Sequence, residues 1–220
     1  MNIMKEILDF ITELSENNNR EWFEVKKEHY KKLKAQHEAF IESVIEGLSP
    51  FDPMLGRPKA KDCMFRIYRD VRFSLDKSPY KEHFGAFISF NGKKTERPGY
   101  YIHIQPGNSF AGGGVYKPGP QVLRKIRQEI YYDSKTLKSL LQNPEFKKVY
   151  SSLFDDKLTR PPKDYDPEFP DIELIKYKSW FVDHNFTDKE VISPDFLNKT
   201  IDVLKTAIPL NMFLNRAFEN

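Results

Sequence analysis

FGAFISFNGKKTERPGYYIHIQ, residues 84–105, is the stretch on which the fold turns. Phe84, Ala86, Ile88 and Phe90 alternate with their neighbours, and Tyr100 to Gln105 alternate again. A two-residue period is that of a strand with one buried face, because successive side chains point to opposite sides. Asn91-Gly92 tolerates the backbone of a turn, so the whole stretch reads as an antiparallel hairpin. Its connection is longer than two residues, which leaves the register open.

Upstream, in CMFRIYRDVRFSLDKSPYKEHFG (residues 63–85), Phe65, Ile67, Val71 and Phe73 alternate with Arg66, Tyr68, Asp70 and Arg72. β-Branched and aromatic residues favour a strand here over a helix, and the spacing predicts one from about residue 61. Arg69 falls on the apolar side and needs its own partner, an acidic side chain or helix C-terminal carbonyls. Downstream, NSFAGGGVY (residues 108–116) predicts a further strand whose three glycines mark a bulge or a close backbone approach. A mainly β region thus covers 61–116.

Helical periods flank it. Ile3, Ile7, Phe10, Ile11 and Leu14 form one apolar stripe, and Asn19 caps a second helix from Arg20. Leu33, His37, Phe40, Val44 and Leu48 hold one face of that helix until Ser49-Pro50, giving helices over 2–48. On this stripe His37 reads as a satisfied, partly buried core histidine. After Pro118-Gly119-Pro120 the helical period returns through Leu123, Ile126 and Ile130, then Leu137, Leu140 and Leu141. Residues 158–170 hold four prolines and read as an ordered crossing anchored by Tyr165 and Phe169. Helix signals resume over Ile172 to Val182, after Ser193-Pro194-Asp195, and through Leu210, Phe213 and Leu214, giving helices over 118–220. Helices, then strands, then helices, without βαβ alternation, predict one α+β domain over 1–220, a central antiparallel sheet flanked by N-terminal and C-terminal helices.

Several chemistries are set aside. The single Cys63 excludes an intrachain disulfide framework and suits a reducing, cytoplasmic setting. Lys5, Glu6, Asp9 and Glu13 interrupt the N-terminal apolar run, so neither a secretory signal nor a membrane span is expected. No two of the five histidines have helical metal-ligand spacing; a metal site would have to gather His83, His103 and Asp70 from separate strands. Residues 107–112 miss the nucleophile-elbow spacing, and Gly112-Gly113-Gly114 lacks a phosphate-loop or dinucleotide context. No metal or cofactor is expected.

Charge is uneven. Residues 57–97 hold eleven Lys or Arg against five Asp or Glu, in a chain of net charge +3. On the expected strand, Arg66, Tyr68, Asp70 and Arg72 share a polar face that His83, Tyr101, His103 and Gln105 have the parity to join. Lys77, Tyr80 and Lys81 lie in the loop beside it. Forked guanidinium donors and a histidine that titrates near neutrality suit a small anionic or phosphorylated ligand and acid–base chemistry. Basic residues interleaved with aromatics also suit a noncatalytic module that binds nucleic acid or an acidic protein through 57–97. A concave pocket distinguishes the first, an exposed strip the second.

The segments NNNREWF (17–23), FRIYRDVRFS (65–74), DKSPYK (76–81), RPGYY (97–101), GGG (112–114), RPPK (160–163) and SPDFL (193–197) together resemble the DUF2461 family of uncharacterised proteins. The resemblance spans nearly the whole chain, with Asp164 standing where the pattern has glycine. It implies no assigned activity and carries over no catalytic residues.

Overall fold

Asn2 accepts hydrogen bonds from the Met4 and Lys5 amides and opens α1 (Ile3–Glu16); Asn19 accepts from Trp22 and opens α2 (Arg20–Leu48). These caps satisfy amide groups that a helix start otherwise leaves unpaired. In the computed structural model, which describes residues 2–219, a short α3 (Ala60–Cys63) follows. Then come β1 (Phe84–Ile88), β2 (Gly99–Ile104) and β3 (Ser109–Val115). Helices α4 (Pro120–Tyr132), α5 (Ser134–Gln142), α6 (Pro144–Val149) and α7 (Ile172–Ile175) lead to β4 (Trp180–Phe186). The chain closes with α8 (Asp188–Val191), α9 (Phe196–Thr206) and α10 (Ile208–Asn215).

The sheet runs β1-β2-β3-β4, antiparallel throughout, which makes the fold α+β with helices at both ends of the chain. The expected hairpin forms with Phe84 opposite Ile104 and Phe87 opposite Tyr101. Asn91 and Gly92 both take the left-handed backbone that its turn requires, at φ 68° and 70°.

The two faces of the sheet differ. Ala86, Ile88, Tyr100, Ile102, Ala111 and Val182 are fully buried, and α2, α9 and α10 pack on the sheet. The opposite parity carries Phe87, Tyr101, His103, Phe110, Phe181 and Asp183 and forms the wall of a cleft. An antiparallel sheet tolerates one open face because its alternation separates the two sets of side chains.

Three expectations need correction. Residues 65–73 form no strand. The chain leaves a Met64–Ala86 bridge, folds back through a Tyr68–Tyr80 bridge, and the Lys81 amide donates to the Ile67 carbonyl at 2.7 Å. The apolar members of the alternation therefore share no face: Ile67 is buried while Phe73 is 96% exposed. The run Ile172 to Val182 is not one helix but α7 followed by β4, so the sheet does not end before residue 118. A short apolar run beginning Trp180-Phe181-Val182 has no period that separates a buried strand from a helix turn. Of the two readings of the β3 glycines, close approach holds, and the unbroken register with β2 and β4 excludes the bulge. Finally, His37 is neither partly exposed nor satisfied: it is fully buried, and neither ring nitrogen has a partner among the described residues.

The proline-rich crossing is anchored as expected, with Tyr165 and Phe169 packed on Tyr131 at 5.4 and 4.6 Å between ring centroids. Among the described residues no helix is long and apolar enough to cross a membrane.

Candidate functional site

Cross-strand register builds the site. On the open face Gly85 of β1 and Phe110 of β3 lie opposite His103, with Phe87 and Gly112 opposite Tyr101. Gly85 makes room for the Tyr101 hydroxyl, since a Cβ there would stand 2.8 Å from it. The turn after β2 is fixed by Ser109, whose hydroxyl accepts from the Gln105 amide at 3.0 Å and donates to the Gln105 carbonyl at 2.8 Å.

A row of hydrogen bonds follows. The Tyr101 hydroxyl lies 3.1 Å from His103 Nδ1, and His103 Nε2 lies 2.9 Å from Gln105 Oε1. Asn108 Nδ2 donates to the same Gln105 oxygen at 3.2 Å. A carbonyl oxygen only accepts, so His103 carries its proton on Nε2, and its Nδ1 accepts from the Tyr101 O–H. The imidazole is held between Phe110, stacked at 4.8 Å, and the ring of His83 at 4.2 Å.

Burial sets the electrostatics. It drives His83 down to about 3, assisted by His103 and Lys81. It also lowers His103, against an opposing hydrogen bond to Gln105. Burial pushes the Tyr101 phenol up to about 12. Lys81 is lowered by burial and then by the charge of Arg66, and Asp183 is raised by burial, opposed by His184. At neutral pH the floor therefore consists of two uncharged imidazoles and a phenol.

These groups line a cleft of about 660 Å³. Small-ligand pockets occupy roughly 300–1,000 Å³. Phe65 forms one wall, edge-on to Tyr101 at 6.2 Å, with Lys81 Nζ 5.1 Å from its ring centroid. Tyr116 and Phe154 form the other, and β4 contributes Asp183 and Asn185. Two further clefts carry less chemistry. At the one between α4 and the C-terminal turn, Arg216 is already paired with Glu129 at 2.7 Å and Asp133 at 3.0 Å. The one beside the β1–β2 turn is lined by Arg57, Lys59, Asp62 and Asn91, with no histidine or tyrosine.

Of the residues singled out from sequence, His83, Tyr101, His103, Gln105 and Lys81 come together. Arg66 is exposed, near enough to Lys81 to oppose its charge. The rest do not converge, because they never share a strand face. Arg72 grips Asp70 through Nε at 2.9 Å and Nη2 at 2.6 Å, with most of its side chain in solvent. Lys77 donates to the Val71 carbonyl at 3.0 Å. Tyr80 is buried and stacked on Phe23 at 4.0 Å, with Tyr68 packed beside both rings. Arg69 finds the separate partner it needed, Asp76, and also donates to the Ser78 carbonyl at 3.1 Å.

Sequence reasoning missed Phe110, Asn108, Phe181, Asp183 and Asn185. The parity of Phe110 with Gly112 and Gly114 was visible in the β3 run; β4 offered no such signal once read as helix. Among the described residues no group of three or more His, Cys, Asp or Glu is placed to hold a metal ion. His83 and His103 lie ring against ring, and Asp70 is taken by Arg72.

A helix-backed antiparallel sheet whose other face holds an aromatic and histidine-lined cleft defines an α+β protein with an open-faced sheet site. The chain belongs to the DUF2461 family, described as a conserved hypothetical protein, whose model matches residues 6–213. No curated protein and no solved structure matches it.

Proposed function

We propose that the open sheet face binds a small ligand bearing an anionic group, a carboxylate or phosphate, and that Tyr101 and His103 exchange a proton with it. The observation that carries this reading is the Tyr101–His103–Gln105 row, whose tyrosine and histidine line a cleft of ligand size. Polar groups placed in an apolar cleft cost stability relative to aliphatic ones, so their presence suits a task other than packing. Lys81, with Arg66 behind it, supplies positive charge at the rim to attract an anion.

An arriving anion favours the imidazolium forms that burial and Lys81 disfavour in the free protein. Gln105 Oε1 accepts from Nε2 of His103 in either charge state. His103 therefore takes up a proton passed from the ligand through the Tyr101 hydroxyl without losing either hydrogen bond, which fits acid–base work. A cytoplasmic setting suits the lone Cys63, buried and with its thiol pushed up to about 11, hence unreactive.

Sulfate, dianionic throughout, is the probe. Its affinity, followed on the histidine ring signals, is expected to rise as pH falls from about 7 to 5, by up to about tenfold per pH unit. His103→Phe removes that dependence, and Lys81→Met weakens binding. Binding that is absent, independent of pH or unchanged in His103→Phe would overturn the reading.

The loop over residues 69–79 supports a second reading, the noncatalytic module. Phe73 and Leu75 are 96% and 102% exposed, and the Arg72 guanidinium lies 5.8 Å from the Phe73 ring centroid. Charge beside a bare aromatic face suits single-stranded nucleic acid. In the same series, a labelled oligonucleotide that binds with steep salt dependence, loses affinity in Phe73→Ser and keeps it in His103→Phe would move the function to this loop.

A further inference from the structure

We infer that the β4 half of the cleft is a subsite for an organic cation, a methylated ammonium group, so that the ligand carries positive charge at one end and its acidic group at the other. This rests on the open face being a ligand site. Three aromatic rings meet there at steep angles: Tyr116 lies 5.3 Å from Phe154 at 75° and 6.1 Å from Phe181 at 72°. Rings set this way present faces and edges around a corner instead of closing into a stack. Tyr116 already serves a cation, since Lys117 Nζ lies 5.2 Å from its centroid. That lysine is exposed, and a ligand ammonium would displace it.

Asp183 completes the corner. It stands two residues from Phe181 on the same face of β4 and lines the cleft. Its carboxylate has no hydrogen bond or ion pair among the described residues, although exposed acids such as Asp70 and Asp76 are paired. Opposite Asp183 and Phe181 stand Gly112 and Gly114, which have no side chains of their own, so the Phe181 ring lies down over Gly112. An unpaired carboxylate beside aromatic faces matches a cation whose charge is spread over methyl groups. A hard metal ion would demand several oxygen ligands, and the corner offers one carboxylate. The anion-attracting Lys81 and His83 lie over β1 and β2, two to three strand spacings or about 10–14 Å away.

The test titrates choline, and separately its uncharged carbon isostere 3,3-dimethylbutan-1-ol, into the ¹⁵N-labelled full chain. Choline is expected to give saturable shifts at Gly112, Gly114, Tyr116, Phe181 and Asp183 and to bind about tenfold tighter than the isostere. Asp183→Asn, an isosteric change, should sharply reduce that preference while the rest of the spectrum stays in place. Tyr116→Leu should weaken choline more than the isostere. Absent saturable shifts, equal affinity for the two probes, or a preference undiminished in Asp183→Asn would each overturn the inference. Sulfate reads the histidine end separately: sulfate binding retained where choline fails removes only the cation subsite, and choline binding without sulfate binding removes only the anion reading.

Discussion

Gly114→Ala is expected to cost the chain a large share of its stability. A Cβ at Gly114 would stand 2.0 Å from the Trp180 carbonyl oxygen, at a φ of +126° that side chains rarely adopt. At Gly112 it would stand 2.0 Å from the Val182 carbonyl oxygen. Both obstacles are backbone of β4, so no side-chain rotation relieves them, and the β3–β4 ladder itself must part. A loss of about 4 kcal/mol or more follows for either change, against total stabilities of roughly 5–15 kcal/mol. Gly107→Ala is the control. Its φ is +68° but nothing lies within 4 Å, so it should cost only about 1 kcal/mol of backbone strain. Urea denaturation of the three variants decides the matter: Gly112→Ala and Gly114→Ala as stable as Gly107→Ala would mean that β3 and β4 do not pair in this register.

His37→Leu should have the next largest effect, in the opposite direction. The imidazole sits on the buried face of α2, 5.3 Å from Phe84 and 6.5 Å from Phe40, with both nitrogens unpartnered. An aliphatic side chain of similar size removes that desolvation cost, for a gain of about 1–2 kcal/mol at neutral pH. Burial also brings the His37 pKa down to about 4. The unfolded chain binds this proton near the usual 6.5 and the folded chain only near 4, so the unfolded state holds more protons in between. Stability is complete above that window and falls as pH drops through it, by about 2 kcal/mol between pH 7 and 5 from His37 alone. His83, down to about 3, acts in the same sense. Urea denaturation of wild type and His37→Leu at both pH values should show a higher midpoint and a flatter pH dependence in the variant. A destabilised variant would mean that the ring has a polar partner.

The hairpin was legible because two alternating runs flank Asn91-Gly92, and local chemistry alone decides such a turn. Helices α1 and α2 were legible from their apolar stripes, and α2 also from its Asn19 cap. The loop at 65–81 was not, because alternation states which side chains differ and not whether a neighbouring backbone exists to pair with. Strand β4 was hidden by its position, since its partner β3 lies across four helices and nothing local announces so distant a pairing. The site divides along the same line. Tyr101, His103 and Gln105 follow from parity within one strand, while Asp183 depends on the β3–β4 register and could not be placed beforehand. The arginines misled because their spacing was correct for a strand that does not form.

His103 is held as a neutral, tautomer-fixed imidazole between Tyr101 and Gln105. Long-range ¹H–¹⁵N correlation of the histidine ring nitrogens, recorded across a pH titration, tests it most directly. His103 is expected to carry its proton on Nε2 at neutral pH and to charge only below the ordinary histidine value near 6.5. A proton on Nδ1, or an imidazolium forming at or above that value, would contradict it.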